Sequence, residues 1–216
     1  MFKRVFFSLI AICFSFAAFA ADAYKAPQLV PAIFDWSGLN LGLDIGWARQ
    51  PMDTTGVVSA KVSPGGFFGC GHIGYDHQFP DRIVAGVVAD ACGGDVGGKT
   101  SFGGVTIPAK ADLFGTVRAK LGYALNTAYP ILPYITGGLA WSKNNVTITG
   151  LGTAQDTQLG WAAGLGAEMA LSQHWVAGVE WIYSGYGHGN YAFATGFTLP
   201  LNVNSNQVRA SLGYKF

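Results

Sequence analysis

Between Trp36 and Arg49 apolar and polar residues alternate with a period of two. Leu39, Leu41, Leu43, Ile45 and Trp47 hold one parity; Asn40, Gly42, Asp44, Gly46 and Ala48 hold the other. Successive side chains of a strand point to opposite faces, so the stretch predicts a strand with one apolar face and one polar or small face. The same pattern runs through 112–125, 160–171 and 207–216, and more weakly through 67–79, 83–93, 132–142 and 175–185. Eight strands are predicted, each about ten residues or more, enough to cross a bilayer at a tilt of about 45°.

The predicted connections alternate in length. Short ones fall near Pro80-Asp81, near 126–131 and near Ser172-Gln173; long ones cover about 50–66, 94–111, 143–156 and 186–205. Short turns on one side and long loops on the other are the pattern of an outer-membrane barrel. A soluble β-sandwich is also built from half-buried strands, but the row of Leu, Ile, Trp and Tyr on every strand would then face water. The expected fold is therefore all-β: an eight-stranded antiparallel transmembrane β-barrel, an up-and-down meander with short periplasmic turns and four long extracellular loops.

Composition supports lipid as the solvent of the apolar face. Hydrophobic residues make up 50% of the 216, charged residues only 12%, and 31 are Gly. High apolar content with low net charge excludes disorder. Thirteen Lys and Arg against twelve Asp and Glu leave a net charge of +1, without the basic excess a nucleic-acid binder needs. After residue 21 no stretch of 18 uninterrupted apolar residues remains, so helical spans are not expected.

The first residues read as an export signal. Lys3 and Arg4 precede the apolar run from Val5 to Phe16, and Ala18-Phe19-Ala20 offers a small-x-small cleavage site. Ile12 before Cys13 does not suit a lipidation site. The expected organisation is a signal peptide at 1–20, a periplasmic lead-in at 21–35 and the barrel at 36–216.

The inward parity carries Asp44, Asp90, Arg118, Lys120, Glu168, Glu180 and Arg209 among glycines and small residues. An eight-stranded barrel is just wide enough for side chains to fill. These four acids and three bases are expected to pair as a polar plug, with the glycines making room for the long Arg and Lys side chains. Arg118 is expected to couple to Glu168 or Glu180. Trp36, Trp47, Tyr75, Tyr123, Tyr134, Trp141, Trp161, Trp175, Trp181 and Tyr214 lie mostly near strand ends, as interfacial girdles require.

Several motifs together carry a family resemblance. They are Trp36-Ser-Gly-Leu-Asn-Leu-Gly, Gly115-Thr-Val-Arg-Ala-Lys-Leu-Gly-Tyr-Ala, Leu132-Pro-Tyr-Ile-Thr-Gly-Gly-Leu-Ala, Gly164-Leu-Gly-Ala-Glu-Met-Ala-Leu, Glu180-Trp-Ile-Tyr and the terminal Leu212-Gly-Tyr-Lys-Phe. In this order and spacing they resemble the outer-membrane immunogenic, porin-like proteins of alphaproteobacteria, a branch of the OmpA/OmpX-type barrels. The resemblance implies a surface antigen with no catalytic residues and no cofactor. It also implies that Phe216 is the signal read by the barrel-assembly machinery. Two positions depart from the family: Val88 stands where an inward Glu is common, and Lys120 where a second Arg is common. Both imply a less complete ion-pair network.

Cysteines are not a family feature, so Cys70 and Cys92 need their own account. A hairpin centred on Asp81 would set them face to face, about 4.5–5.5 Å apart at Cα, within disulfide range. The periplasm is oxidising, so a disulfide is expected in that register; a slip of one residue would leave two separate thiols.

Other patterns carry less. Gly69-x-Gly71-x-x-Gly74 matches a dinucleotide fingerprint but runs on into a strand where that motif needs a helix. His72 and His77 sit on opposite faces of one strand, His174 at a turn and His188 in a loop, so no metal site is expected. Ser184 and His188 lack the spacing of a nucleophile and its base. The leading functional reading is a structural, surface-exposed scaffold in outer-membrane lipid. Two others stay open: a small porin for ions or small solutes, and loop-mediated binding of an extracellular ligand such as haem or a host protein.

Overall fold

The computed structural model describes residues 34–54, 61–62, 65–102, 105–148, 152–192 and 198–216. The expected signal peptide and most of the lead-in lie outside the described residues. The strands are β1 (Gly38–Arg49), β2 (Met52–Thr54), β3 (Lys61–Val62), β4 (Gly65–Gln78), β5 (Ile83–Phe102), β6 (Val105–Tyr123), β7 (Ile131–Ile148), β8 (Gly152–Ala170), β9 (Trp175–Ala192) and β10 (Thr198–Lys215). β1 and β4 to β10 pair in chain order, all antiparallel, and β10 pairs back onto β1 to close the barrel. The result is an eight-stranded up-and-down meander, and closure leaves no edge in the membrane-spanning wall. The short strands β2 and β3 extend the sheet beyond β10.

The two faces of the wall follow the sequence parity. Along β1, Leu41, Leu43, Ile45 and Trp47 point outward, Ile45 being 73% exposed, while Asp44 between them is buried. Val117, Leu121, Ile135, Leu139, Leu165, Val179, Val208 and Leu212 continue the apolar outer face around the barrel. Exposed apolar side chains in this number are stable only against hydrocarbon.

The long connections differ from expectation. Most of the 94–111, 143–156 and 186–205 segments is strand. A strand of 18 to 20 residues at about 3.3 Å per residue far exceeds what a tilted crossing of a ~30 Å hydrocarbon layer consumes. The hairpins therefore run on past the membrane as paired ribbons. The short connections are tight, and Phe79 N donates to Ile83 O at 2.8 Å to close the β4–β5 turn. Arg82 there has φ 68°, and it is the one described non-glycine residue in the left-handed region.

Two expected girdle residues lie inside instead. Trp36 is buried, packed edge-on against Phe34 at 4.8 Å. Its backbone N–H donates to Gln78 Oε1 and the backbone N–H of Gln78 donates to Ser37 Oγ, each at 2.9 Å, which ties the lead-in to the end of β4. Tyr134 is also buried, because its parity on β7 is the inward one.

Candidate functional site in the barrel lumen

The lumen is filled in three layers. At the short-turn end Phe34, Trp36, Val84, Ala124, Leu132 and Ala170 form an apolar floor. At the long-hairpin end Ala48, Phe68, Cys70, Cys92, Val96 and Phe114 form the apolar half of a lid, with the Phe68 and Phe114 rings edge-on at 5.3 Å, and buried Ser142, Gln158, Ser184 and Gln207 form its polar half. Between them lies a charged layer in two clusters.

The first cluster is built on two arginines. Arg118 on β6 donates through Nη2 to Asp90 Oδ2 at 3.1 Å, and through both terminal nitrogens to Glu180. Its Nε reaches Thr116 Oγ1 and its Nη1 reaches Thr136 Oγ1, both at 2.8 Å. Arg209 on β10 donates through Nε to Glu180 Oε2 at 3.0 Å and through Nη2 to Glu180 Oε2 at 2.8 Å and Asp90 Oδ2 at 3.1 Å. Asp44 lies 3.5 Å from Arg209 Nη1, and its other oxygen is 2.8 Å from His72 Nδ1. Thr116 completes the shell of Asp90, donating from its hydroxyl at 2.6 Å and its N–H at 3.1 Å. Arg118 is only 1% exposed. Guanidinium suits this place because its five donors lie in a rigid plane that several carboxylates can share.

The second cluster is built on Lys120. Its ammonium lies 2.7 Å from Asp76 Oδ2 and 3.1 Å from each Glu168 oxygen, and 5.2 Å from the centre of the Tyr134 ring. Asp76, Gly86 and Lys120 form one cross-strand row on β4, β5 and β6. An added Cβ at Gly86 would collide with Asp76 Oδ1, so the glycine is what lets the carboxylate fold over toward Lys120. At Gly166 an added Cβ would fall 2.6 Å from the Tyr134 ring. The space over these glycines is thus taken by Asp76 and Tyr134, rather than by the arginine and lysine arms that the sequence suggested.

All seven inward charges expected from the sequence line the lumen. Arg118 meets Glu180 and not Glu168, which belongs to Lys120. Lys120 is not poorly paired as the resemblance implied, because Asp76 gives it a second carboxylate. Sequence reasoning missed Asp76, His72, Thr116 and Thr136 as partners, although Asp76 and His72 share the parity of Cys70 on β4. Val88 borders a cavity of about 40 Å³ beside Arg118, Lys120 and Glu168. A space of that size holds about one or two waters.

Cys70 and Cys92 face one another on β4 and β5, 4.0 Å apart at Cα, and are joined by a disulfide. Phe216 sits on the outer face, 65% exposed, and its N–H donates to Leu39 O at 2.9 Å. Ser184 is buried on β9; the side chain of His188 lies outside the described residues.

Residues 7–216 match the family model described as outer membrane protein beta-barrel domain. The chain belongs to this family of outer-membrane β-barrels. The outer-membrane protein is 34% identical to the 31 kDa outer-membrane immunogenic protein of Brucella melitensis, over 99% of this chain and all of the relative. It is also 34% identical to the 25 kDa outer-membrane immunogenic protein of Brucella abortus, over 98% of this chain and 97% of the relative. Among solved structures, Neisserial surface protein A has the same fold, with a TM-score of 0.50 at 18% identity over 83% of this chain and 98% of the other. In the outer-membrane barrel the floor therefore marks the periplasmic end and the lid the extracellular end.

Proposed function

We propose that this protein is a structural, surface-displayed scaffold of the outer membrane whose lumen is closed by its own side chains. The observation that carries this reading is the three-layer filling of the lumen. A charged layer with buried, mutually paired groups lies between an apolar floor and a lid of mixed apolar and polar side chains, and the cavities beside it hold no more than a few waters. A lumen of this kind serves as a rigid core. It anchors the ribbons that extend past the membrane, and loops on a rigid frame are the usual place for recognition. The names of the Brucella relatives, immunogenic outer-membrane proteins, support display of these ribbons to the outside. Outer-membrane lipid is the solvent of the wall, and Phe216 at its end is offered to the assembly machinery. No catalytic step or cofactor is assigned.

Protease treatment of intact cells tests the display. Cleavage within 94–111 or 143–156 is expected without permeabilising the outer membrane, leaving the wall intact. Cleavage only after permeabilisation would overturn the reading.

A further inference from the structure

The two sulfurs of the Cys70–Cys92 disulfide are enclosed on every side. Cys70 is 5% exposed and Cys92 1%. Toward the outside, Phe68, Val96 and Phe114 cover them. Toward the periplasm lies the arginine cluster: Arg209 Nη1 is 4.0 Å from Cys70 Sγ, and Asp90 Oδ1 is 3.7 Å from Cys92 Sγ. Below that come the Lys120 cluster and the floor of Phe34 and Trp36. On the remaining side is the wall itself, whose outer face is apolar. Thiol–disulfide exchange proceeds by attack of a thiolate along the S–S axis and needs access to a sulfur. The larger cavity near the charged layer, about 40 Å³, is too small for any thiol reagent and is not lined by either cysteine.

We infer that the disulfide is made before the barrel closes, while Cys70 and Cys92 are still exposed on the exported chain. The reaction is a dithiol oxidation by a periplasmic disulfide oxidant. The two thiols lose two protons and two electrons, a mixed disulfide forms and resolves, the oxidant leaves as a dithiol, and the Sγ–Sγ bond remains. The substrate delivered for insertion is then a chain whose β4–β5 hairpin is already cross-linked in its final register. Closure locks the bond away from both oxidants and reductants. The oxidising compartment needed for this step is the one an exported chain passes through.

Thiol trapping tests the order of events. The barrel is purified from outer membranes, treated with dithiothreitol while folded, and alkylated with a mass-tagged maleimide. A second sample is reduced in urea, refolded into detergent micelles, and only then given oxidised glutathione; a third receives oxidised glutathione before refolding. A heat-modifiability gel reports closure in each. The folded native barrel is expected to arrive fully oxidised and to resist dithiothreitol. The closed reduced barrel is expected to oxidise on the order of 100-fold or more slowly than the unfolded chain, because exchange must wait for local opening. If the reduced chain does not close at all, oxidation again precedes closure. Free thiols in the native barrel would overturn the inference. So would oxidation of the closed reduced barrel as fast as that of the unfolded chain. The single variant Cys70→Ser, which cannot form the bond, identifies the cross-linked band.

Discussion

The two charged clusters of the lumen solve one problem in different ways. In the first, Arg118 and Arg209 share Glu180 and Asp90 between them, and threonines on β6 and β7 take the remaining positions. The cluster ties the neighbouring pair β5 and β6 to the neighbouring pair β9 and β10 across the lumen. In the second, one flexible ammonium holds two carboxylates, and the Glu168 side chain is 16% exposed beside a cavity. Planar forks make a cross-braced lattice, whereas a point charge makes a clip. Breaking the lattice leaves two shared carboxylates short of a partner at once; breaking the clip strands buried Asp76 and Glu168, of which Glu168 borders a cavity.

Arg118→Ala should therefore be the most damaging change. It leaves Glu180 and Asp90 short of a partner in a buried site, at a cost of about 3–5 kcal/mol, read as a lowered urea midpoint of the heat-modifiable band. A melting profile equal to wild type would remove the lattice from the account. Lys120→Ala should cost less, about 1.5–3 kcal/mol, the usual worth of hydrogen bonds to charged groups. A loss equal to that of Arg118→Ala would erase the contrast between lattice and clip. Gly86→Ala reaches the clip without removing a charge. Its methyl group would displace the Asp76 carboxylate and meet Tyr75 O at 2.6 Å, so destabilisation of about 1–3 kcal/mol is expected from overpacking. In the double variant with Lys120→Ala the two losses should not add, since both act on one row. Glu168→Gln should have the smallest effect, below about 1.5 kcal/mol, because the amide oxygen still accepts from Lys120 and one carboxylate remains.

The wall was readable in the sequence for a physical reason. Lipid on one side and a packed lumen on the other impose a period of two, so the crossing parts of β1, β6, β8 and β10 stood out. The same reasoning failed where that contrast ends. In Gly97-Gly98 and Asn144-Asn145-Val146-Thr147 backbone pairing continues without an alternation of apolar and polar residues. These stretches read as loops. Parity also showed which charges face inward but not which ones meet. Arg209 and Glu180 face each other across neighbouring strands. Arg118 and Glu180 meet across the lumen, and that contact depends on how the rows stagger around the closed barrel. Asp76 reaches Lys120 only because the residue between them in the row is Gly86. Trp36 and Tyr134 read as girdle residues from their places near strand ends, and only inward parity and the docking of Trp36 on β4 put them inside.

Single-channel conductance shows whether the lumen is filled. The barrel, shown to be folded by its heat-modifiable mobility, is inserted into a planar bilayer and recorded in concentrated salt. Electrical silence is expected from the wild type, with openings appearing only when the charged layer is breached, as in Arg118→Ala combined with Lys120→Ala. Discrete, reproducible channels from the folded wild-type barrel would contradict it and establish a conducting pore.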